Sequence, residues 1–362
     1  MFKKRITFSN IATQNVFEKE NRCYEDFSKL MFETGLGKQA IDVTKANDKI
    51  REVFFEVLGI SADCSRKELH KAIRRHKVDI YEVVEEVVPN LLVSGWGNDP
   101  FFNEFVEYKS ADLGDTNEFY VPDDSILTVA ELSGGHHDLF RQRLGAGKTF
   151  NVKTSWYGVK IYAEFELFMA GRVDWANFIL KIYEAFDKKV NDMVYTSVMS
   201  AGSQVAPSAQ FNKTGSLVKD TLVQLVEDVQ AANGVEAVIM GTKSALSKVT
   251  ALSDTTWISE GMKEERHTTG RLGIWEGTRL VEIPQSFAPN DTTTRQVDNS
   301  KLLIMPLADN KFIKVYDEGE AQVSESTDGE KNMDKTIEYE YQQKMGVATI
   351  VNRKFGTWTI TA

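Results

Sequence analysis

The longest uninterrupted helical pattern in the sequence runs from Asp174 to Ser200. Its apolar side chains recur every three or four residues, the spacing that places them on one face of an α-helix. That face comprises Trp175, Phe178, Ile179, Ile182, Phe186, Val190, Met193, Val194 and Val198. We predict an amphipathic helix roughly 40 Å long, capped by Asp174 and ended near Gly202. A helix of this length between a strand-rich segment and an α/β segment is expected to act as a spine for both.

Composition excludes several classes of protein. The 362 residues, 42% hydrophobic and 27% charged, indicate a folded chain of more than one average domain. No stretch is long and apolar enough for a membrane helix or a signal peptide, so we expect the protein to stay in the cytoplasm where it is made. Cys23 and Cys64 are the only cysteines, which excludes a disulfide framework and a four-thiolate zinc site. The net charge of −10 argues against sequence-reading nucleic-acid binding.

The first 90 residues carry helical patterns and a cluster of positive charge. Helices are predicted at Asn15–Phe32, at Ala46–Leu58 and from the capping-box pair Ser65 and Glu68 to Pro89. The basic cluster at the start of the third helix comprises Arg66, Lys67, Lys71, Arg74, Arg75 and Lys77. Two interpretations stay open for it: a solvated or ion-paired face against an acidic neighbouring subunit, or a surface that contacts packaged nucleic acid.

Residues 91–170 change to strand patterns. We predict strands at Phe101–Lys109, Glu118–Pro122 and Ser125–Leu132, and a long ribbon that begins at Phe150. The apolar alternation along this ribbon changes phase at Gly158, which predicts a bulge or hinge there. The ribbon begins in an exposed hairpin, and such a ribbon is not stable alone in water. It is therefore expected to lie on another subunit.

Residues 203–325 have the pattern of an α/β lobe. In chain order the sequence predicts a helix capped by Ser216 and closed by Gly234, a buried strand Val235–Met240, a helix capped by Thr242, a polar flexible stretch Ser253–Gly270, and strands Thr278–Ile283, Lys301–Pro306 and Lys311–Tyr316. An acidic loop, Asp317 to Asp334, is expected to lead out of the lobe. A closing β-hairpin is predicted after it, with its turn at Gly346.

The search for catalytic chemistry yields no site. Gly145–Thr149 ends like a phosphate-binding loop, but the first glycine of that motif would fall at Gln142 and a strand follows instead of a helix. His136, His137 and Asp138 are adjacent, and adjacent residues rarely converge on one metal ion. We therefore predict a protein that is not an enzyme, with no catalytic residue, no metal site and no cofactor.

The order of these parts resembles the major capsid proteins of tailed bacteriophages, which share the Hong Kong 97 fold with encapsulins. The segments that carry the resemblance are VEAVIMGTKSALSKV, GIWEGTRLVEIP and Lys311–Trp358, in that order. The resemblance implies an α+β chain divided as follows: a helical N-terminal arm or extension (1–90), the first part of a peripheral domain (91–113), a hairpin E-loop (114–157), a peripheral domain with the spine helix (158–206), an α/β axial domain (207–318) and the closing strands of the peripheral domain (319–362).

The resemblance also implies a function. It is that of a virion capsid subunit, assembled in the host cytoplasm into the hexamers and pentamers of an icosahedral shell around double-stranded DNA, with portal, scaffold or decoration proteins as partners. An encapsulin-like cargo shell is the alternative, and a nucleotide-binding enzyme is a distant one. Candidate inter-subunit contacts are Lys148, Lys153, Trp156 and Asn352. Some relatives join such a lysine and asparagine covalently, but here we expect neither cross-linking nor shortening of the chain.

Overall fold

The computed structural model describes residues 27, 30, 33, 43–61, 64–123, 127–129, 141–164, 175–204, 207–253, 259–288, 291, 293–307, 310–326 and 336–361. Its helices are α1 Val43–Val57, α2 Arg66–Asn98, α3 Pro100–Phe105, α4 Trp175–Gln204, α5 Lys219–Asn233, α6 Lys243–Ala251 and α7 Glu260–Thr269. Its strands are β1 Val106–Ala111, β2 Phe119–Val121, β3 Lys148–Phe150, β4 Ser155–Glu164, β5 Asn212–Gly215, β6 Ala237–Gly241, β7 Ile274–Trp275, β8 Thr278–Glu282, β9 Lys301–Pro306, β10 Ile313–Ser326, β11 Thr336–Thr349 and β12 Gly356–Ile360. This mixture confirms the predicted α+β class.

The described strands form three sheets. A four-stranded sheet has the order β1-β10-β11-β4, a six-stranded sheet has the order β5-β12-β9-β6-β8-β7, and β2 pairs with β3 alone. In the first sheet β1 is parallel to β10 and the other pairs are antiparallel. The six-stranded sheet mixes parallel and antiparallel pairs and belongs to the lobe, with α5 and α6 packed on it.

The predicted spine is α4, a 30-residue helix that packs on the four-stranded sheet. Ile179, Ile182, Val190, Val194 and Val198 on its predicted apolar face are all buried in the main core. The helix continues past the predicted stop at Gly202 to Gln204, because one glycine costs a helix only about 1 kcal/mol. The predicted cap, Asp174, lies outside the described residues.

The helices near the N-terminus belong to the same core. Ile50, Phe54 and Val57 of α1 are buried there, together with Val87 and Leu91 of α2. The predicted helix Asn15–Phe32 lies almost wholly outside the described residues, although the Phe27 ring meets the Phe54 ring edge-on at 6.1 Å. These contacts attach the helices to the body of their own chain.

The predicted start of α2 is confirmed, and its predicted end at Pro89 is wrong. The Ser65 hydroxyl accepts a hydrogen bond from the Glu68 amide (3.3 Å), and the Glu68 carboxylate accepts one from the Ser65 amide (3.0 Å). Proline inside a helix costs about 3 kcal/mol because it lacks an N–H donor. Here the Asn90 side chain donates to the Glu86 carbonyl (2.7 Å) beside the break. Burial of the following turns then favours continuation to Asn98.

Two strand predictions before the spine need correction. Residues Phe101–Phe105 form part of α3, because the Asp99 carboxylate caps the Phe101 amide (2.9 Å) and Pro100 occupies the first helical position. The strand therefore starts only at Val106. Of the predicted strand Ser125–Leu132, residues 127–129 are described and lie outside any strand.

The change of phase does not occur at Gly158. The pairing of β4 with β11 runs without a shift through Gly158, which faces Gln342. Tyr157, Val159 and Ile161 already share the side of β4 that packs on the main core. The change falls instead in residues 151–154, a link between β3 and β4 in which Val152 is buried in a separate small cluster.

The lobe follows the sequence predictions at most helix ends. Gly234 ends α5 in the left-handed region (φ 67°), and the Thr242 hydroxyl caps α6 by accepting from the Ala245 amide (3.4 Å). Ser216 is not a cap, since α5 begins after Val218 without a side-chain capping bond. The predicted flexible stretch Ser253–Gly270 contains a helix, α7.

Long-range pairing overturns the predictions for the last strands. The strand predicted at Lys311–Tyr316 is β10 of the four-stranded sheet, and it extends to Ser326 through much of the predicted acidic loop. Strand β11 passes straight through Gly346, so there is no hairpin turn at that residue. A Cβ on Gly346 would lie 2.4 Å from the Lys153 carbonyl, so this glycine permits close approach instead. Strand β12 lies in the lobe sheet.

Candidate assembly surface

A two-stranded ribbon connects β1 and β4, the two outer strands of the four-stranded sheet. We call residues 112–123, 127–129 and 141–154 the ribbon. Strands β2 and β3 pair within it in antiparallel register, from Phe119 opposite Phe150 to Val121 opposite Lys148. The segment predicted as a long ribbon from Phe150 thus divides into this hairpin, the link 151–154 and strand β4.

The base of the ribbon is attached by a small aromatic cluster. Phe119, Val152 and Tyr316 are buried together, and the Phe119 ring meets the Tyr316 ring edge-on at 6.1 Å. The ammonium groups of Lys109 and Lys314 lie 5.8 Å and 5.7 Å from the centre of the Phe119 ring. Such cation–π contacts add to the burial of the ring. Both strands of the ribbon are therefore held where they meet β10.

Two side-chain amides hold the ribbon strands together. Asn117 bonds to both backbone groups of Val152, donating to its carbonyl and accepting from its amide (3.3 Å). Farther out, Gln142 accepts from the Thr128 amide (2.7 Å) and donates to its carbonyl (2.6 Å). Each amide side chain takes the place of a missing ladder partner. The ribbon thus has defined pairing even where its strands diverge.

The glycine-rich segment serves the ribbon and has no phosphate-loop geometry. Gly147 has φ 72°, and a Cβ there would lie 2.6 Å from the Val121 carbonyl. The Tyr120 hydroxyl donates across the ribbon to the Ala146 carbonyl (2.9 Å). Lys148 then starts an antiparallel strand, whereas a phosphate-binding loop opens a helix.

A carboxylate ties the link 151–154 to the sheet. Glu318 is 9% exposed and accepts hydrogen bonds from the Thr154 hydroxyl (2.6 Å) and the Lys344 ammonium group (2.7 Å). The bonds from Lys344 and Thr154 hold the pKa of Glu318 below its ordinary value. Strand β10 has an irregular register just after Glu318, at Gly319 (φ 82°). Three chain segments therefore converge where the ribbon leaves the body.

Two buried charged side chains beside this point are hydrogen-bonded. The Lys314 ammonium group contacts the Glu107 carboxylate and donates to the Asn310 side chain (2.8 Å). Asp317 accepts from the Tyr108 hydroxyl (3.0 Å) and the Gln343 amide (2.9 Å). Burial raises the pKa of Tyr108 well above its ordinary value, with a further contribution from the charge of Asp317. These bonds join β1, β10 and β11 beside the point where the ribbon begins.

The ribbon exposes large apolar side chains. Tyr120 is 62% exposed, Leu127 51%, Val129 95% and Leu144 81%. Clusters of exposed apolar residues mark surfaces that contact other molecules. Trp156, a predicted contact residue, is 47% exposed at the start of β4. These exposed side chains make the described ribbon a candidate association surface.

The structure brings together two of the four predicted contact residues. Lys148 and Asn352 line one cleft of about 550 Å³, together with Asp123 and Arg143. The Asn352 side chain donates to the Pro122 carbonyl on the ribbon (3.3 Å). Lys153 is exposed on the link and, like Trp156, does not line this cleft.

The predicted basic cluster is described in part. Lys67, Lys71 and Arg75 are exposed and spaced by four residues along α2, so they form one stripe. The side chains of Arg66, Arg74 and Lys77 lie outside the described residues, as do His136–Asp138. Within the described part of the chain, no group of three or more His, Cys, Asp or Glu side chains is arranged to hold a metal ion. None of the described helices has the length and apolar character needed to cross a bilayer.

An exposed apolar ribbon on an α+β body is the arrangement expected of a subunit that associates with other protein chains. Residues 21–359 match the family described as "SPbeta prophage-derived putative capsid protein YonB", and the chain belongs to this family. The prediction of a phage capsid protein is thereby confirmed, and the family favours it over the encapsulin alternative. The family is one of structural proteins. No curated protein matches the chain in sequence.

Three solved structures are similar to the chain at low sequence identity. The mature capsid of bacteriophage PhiM1 has 13% identity and a TM-score of 0.49 over 73% of this chain and 87% of that one. Microbacterium phage Oxtober96 has 12% identity and a TM-score of 0.44 over 70% and 89%. The SrpI encapsulin of Synechococcus elongatus has 10% identity and a TM-score of 0.39 over 72% and 87%.

Several residues that shape this surface were missed by sequence reasoning. Asn117 and Gln142 act through backbone groups that are far away in sequence, so no local pattern identifies them. Glu318 was placed in an acidic loop, although the apolar alternation of the preceding residues indicates a strand. Helix α7 carries a usable local signal, with Ser259 as its cap and Gly270 as its left-handed end.

Proposed function

We propose that this chain is the major shell subunit of a phage head. Copies assemble as hexamers and pentamers into an icosahedral shell that encloses double-stranded DNA in the virion, after assembly in the host cytoplasm. The observation that carries the proposal is the ribbon, whose apolar side chains Leu127, Val129 and Leu144 are at least half exposed in the isolated chain. Covering this surface with a neighbouring copy would stabilise the shell, since burial contributes about 25 cal/mol per Å² of apolar surface.

In this proposal the parts of the chain take the roles of a Hong Kong 97-like subunit. The ribbon is the E-loop, the spine and the four-stranded sheet are the peripheral domain, and the six-stranded lobe is the axial domain. Lys148 and Asn352 contact a neighbour through the cleft that they line. Lys153 on the link and Trp156 at the start of β4 add exposed side chains to this contact. The support is their position beside the exposed apolar side chains.

The negative net charge of the chain supports a role in enclosing DNA. A chain of net charge −10 confines DNA without holding it tightly. The exposed stripe of Lys67, Lys71 and Arg75 gives one local point of attraction, either for packaged DNA or for an acidic neighbour. Portal, scaffold or decoration proteins are proposed as further partners.

The test compares the wild-type chain with a chain whose ribbon is shortened. Val121 and Lys148 face each other in the ladder, so residues 122–147 can be replaced by the two-residue turn Asn-Gly. We expect electron microscopy to show closed shells for the wild type and a folded subunit without shells for the shortened chain. Circular dichroism and thermal unfolding check the fold of the subunit.

Replacing Lys248 by Glu, at an exposed site on α6 away from the ribbon, is the matched control and should leave assembly intact. Normal shells from the shortened chain would contradict the proposal. The cargo of the wild-type particles distinguishes the two kinds of shell, because DNA supports a phage head and a protein cargo supports an encapsulin-like compartment.

A further inference from the structure

Helix α7 is a ten-residue helix without a buried side chain of its own. Each of its residues, Glu260 to Thr269, is exposed or half-buried. Helices shorter than about 12 residues are marginal in water unless an apolar face packs against something. The helix is capped at both ends, by Ser259 and by Gly270 (φ 79°). Capping defines where it begins and ends, but a contact with another molecule is what would stabilise it.

The contacts with its own chain define which side of α7 faces outward. The Glu265 carboxylate accepts from the Gly273 amide (2.9 Å), and the Thr269 hydroxyl donates to the Arg271 carbonyl (2.6 Å). Glu265 and Thr269 are four residues apart and therefore lie on one side of the helix. The opposite side faces away from these two contacts.

The outward side carries two stripes of opposite charge. At about 100° per residue, Glu260 and Glu264 lie together on one flank, and Lys263 and Arg266 lie together on the other. The Glu260 and Lys263 side chains are 90% and 53% exposed while paired at 2.6 Å. The acidic stripe therefore attracts a basic stripe and repels another acidic one, and the basic stripe does the reverse.

We propose that α7 is the contact through which neighbouring copies of this chain meet in a ring, with the acidic stripe of one copy against the basic stripe of the next. The partner that contacts this side of α7 is a second copy of the chain, because one helix carries both an acidic stripe and a basic stripe that can bind each other. A contact between unlike faces is the head-to-tail type that closes into rings. This inference rests on the proposed function, which supplies the hexamers and pentamers.

Three variants test the contact. Glu260→Lys with Glu264→Lys makes both flanks basic, Lys263→Glu with Arg266→Glu makes both flanks acidic, and all four changes together exchange the flanks. We expect each double variant to lower the yield of particles by about tenfold or more, because every contact then joins like charges. The fourfold variant should restore assembly, since its contacts are complementary again.

Mixing the two double variants gives the sharpest result. An all-basic copy and an all-acidic copy are complementary, so the mixture should form rings in which the two alternate. Alternation requires an even number of copies, and we therefore expect hexamers but no closed pentamers in electron micrographs. A destabilised helix would persist in the mixture, so rescue by mixing separates a contact from a folding defect.

Matched controls are Glu227→Lys on α5 and Lys248→Glu on α6, both at exposed positions, and both should assemble normally. Double variants that form normal shells would overturn the inference while leaving the proposed function intact. So would a mixture and a fourfold variant that both fail to assemble. A wild-type chain that stays monomeric would instead overturn the proposed function, and this inference with it.

Discussion

The side-chain amide of Asn117 pairs with the backbone of Val152 as another strand would, through one donated and one accepted hydrogen bond. The pair joins the two arms of the ribbon where both leave the body, beside the buried rings of Phe119 and Tyr316. Together with the β2–β3 pairing and the buried Phe119 cluster, this pair sets the direction of the ribbon. The position of the exposed apolar side chains therefore depends on a contact between residues 35 positions apart.

Asn117→Ala should lower the free energy of unfolding of the subunit by about 1 to 3 kcal/mol, because two bonds of about 0.5 to 1.5 kcal/mol each are lost. The measurement is urea unfolding. Gln142→Ala is the matched control, since Gln142 makes the same pair of bonds to Thr128 at an exposed site. It should change stability by less than about 0.5 kcal/mol. Equal effects of the two variants would show that Asn117 has no special role at the base.

Phe186→Ala should destabilise the subunit by about 3 to 5 kcal/mol. Phe186 is 4% exposed on the spine helix, and its ring meets the Tyr341 ring edge-on at 4.9 Å. Glu184→Ala, at an exposed site two residues earlier on the same helix, is the control and should have little effect. A loss below roughly 1 kcal/mol in urea or thermal unfolding would contradict the burial of this ring.

Glu318→Gln should reduce the loss of stability in acid. The folded pKa of Glu318 is lowered from an ordinary value of 4.5 by bonds from Lys344 and Thr154. Its carboxylate therefore stabilises the fold above pH 4.5, and this contribution is lost as pH falls through the folded pKa. The free energy of unfolding, measured by urea denaturation as the pH is lowered from above 4.5, should fall less steeply for the variant than for the wild type.

Asp187→Asn should change the pH dependence of unfolding in the opposite direction from Glu318→Gln, because the pKa of Asp187 is raised and that of Glu318 is lowered. Burial raises the pKa of Asp187 from 3.8 even though Trp96 and Asn191 donate to it. Its contribution is thus present below pH 3.8 and lost as pH rises through the folded pKa. The same pH dependence for both variants would contradict the assignment of these shifts.

Reversing the basic stripe, by Lys67→Glu, Lys71→Glu and Arg75→Glu together, should impair DNA retention in shells of normal appearance. The three side chains are exposed along one side of α2, and phosphate contacts are lost with the cations that make them. DNA release on raising the salt concentration is the measurement, with Lys248→Glu as control. Failure of assembly would indicate an acidic protein neighbour, and no effect would indicate a solvated face.

Mature particles should contain this chain as a single band of 40.8 kDa on a denaturing gel. Helices α1 and α2 carry Phe54, Val87 and Leu91 into the main core, so their removal would expose that core. Lys148 and Asn352 share a cleft within one chain, but we expect no covalent bond there. A ladder of heavier bands would show cross-linking, and an intact mass lacking α1 and α2 would show cleavage.

Local signals in the sequence were sufficient for the elements that interact mostly with themselves. The apolar periodicity located α4, the Ser65 and Glu68 pair located the start of α2, and Gly234 located the end of α5. These predictions succeed because a helix satisfies its hydrogen bonds within a few residues. The capsid class could also be predicted from the sequence, because that resemblance rests on the order of segments along the chain.

Only the tertiary structure decided which strands pair and where the ribbon points. Strand β10 was assigned to the lobe, yet it pairs with β1 and β11 in the other sheet. Gly346 was interpreted as a turn, yet it lies within strand β11, close to the Lys153 carbonyl. A strand obtains its hydrogen bonds from a partner that can be hundreds of residues away. The sequence therefore located the helices with strong local signals and several strands, whereas contacts between distant segments determined the sheets and the surface proposed for assembly.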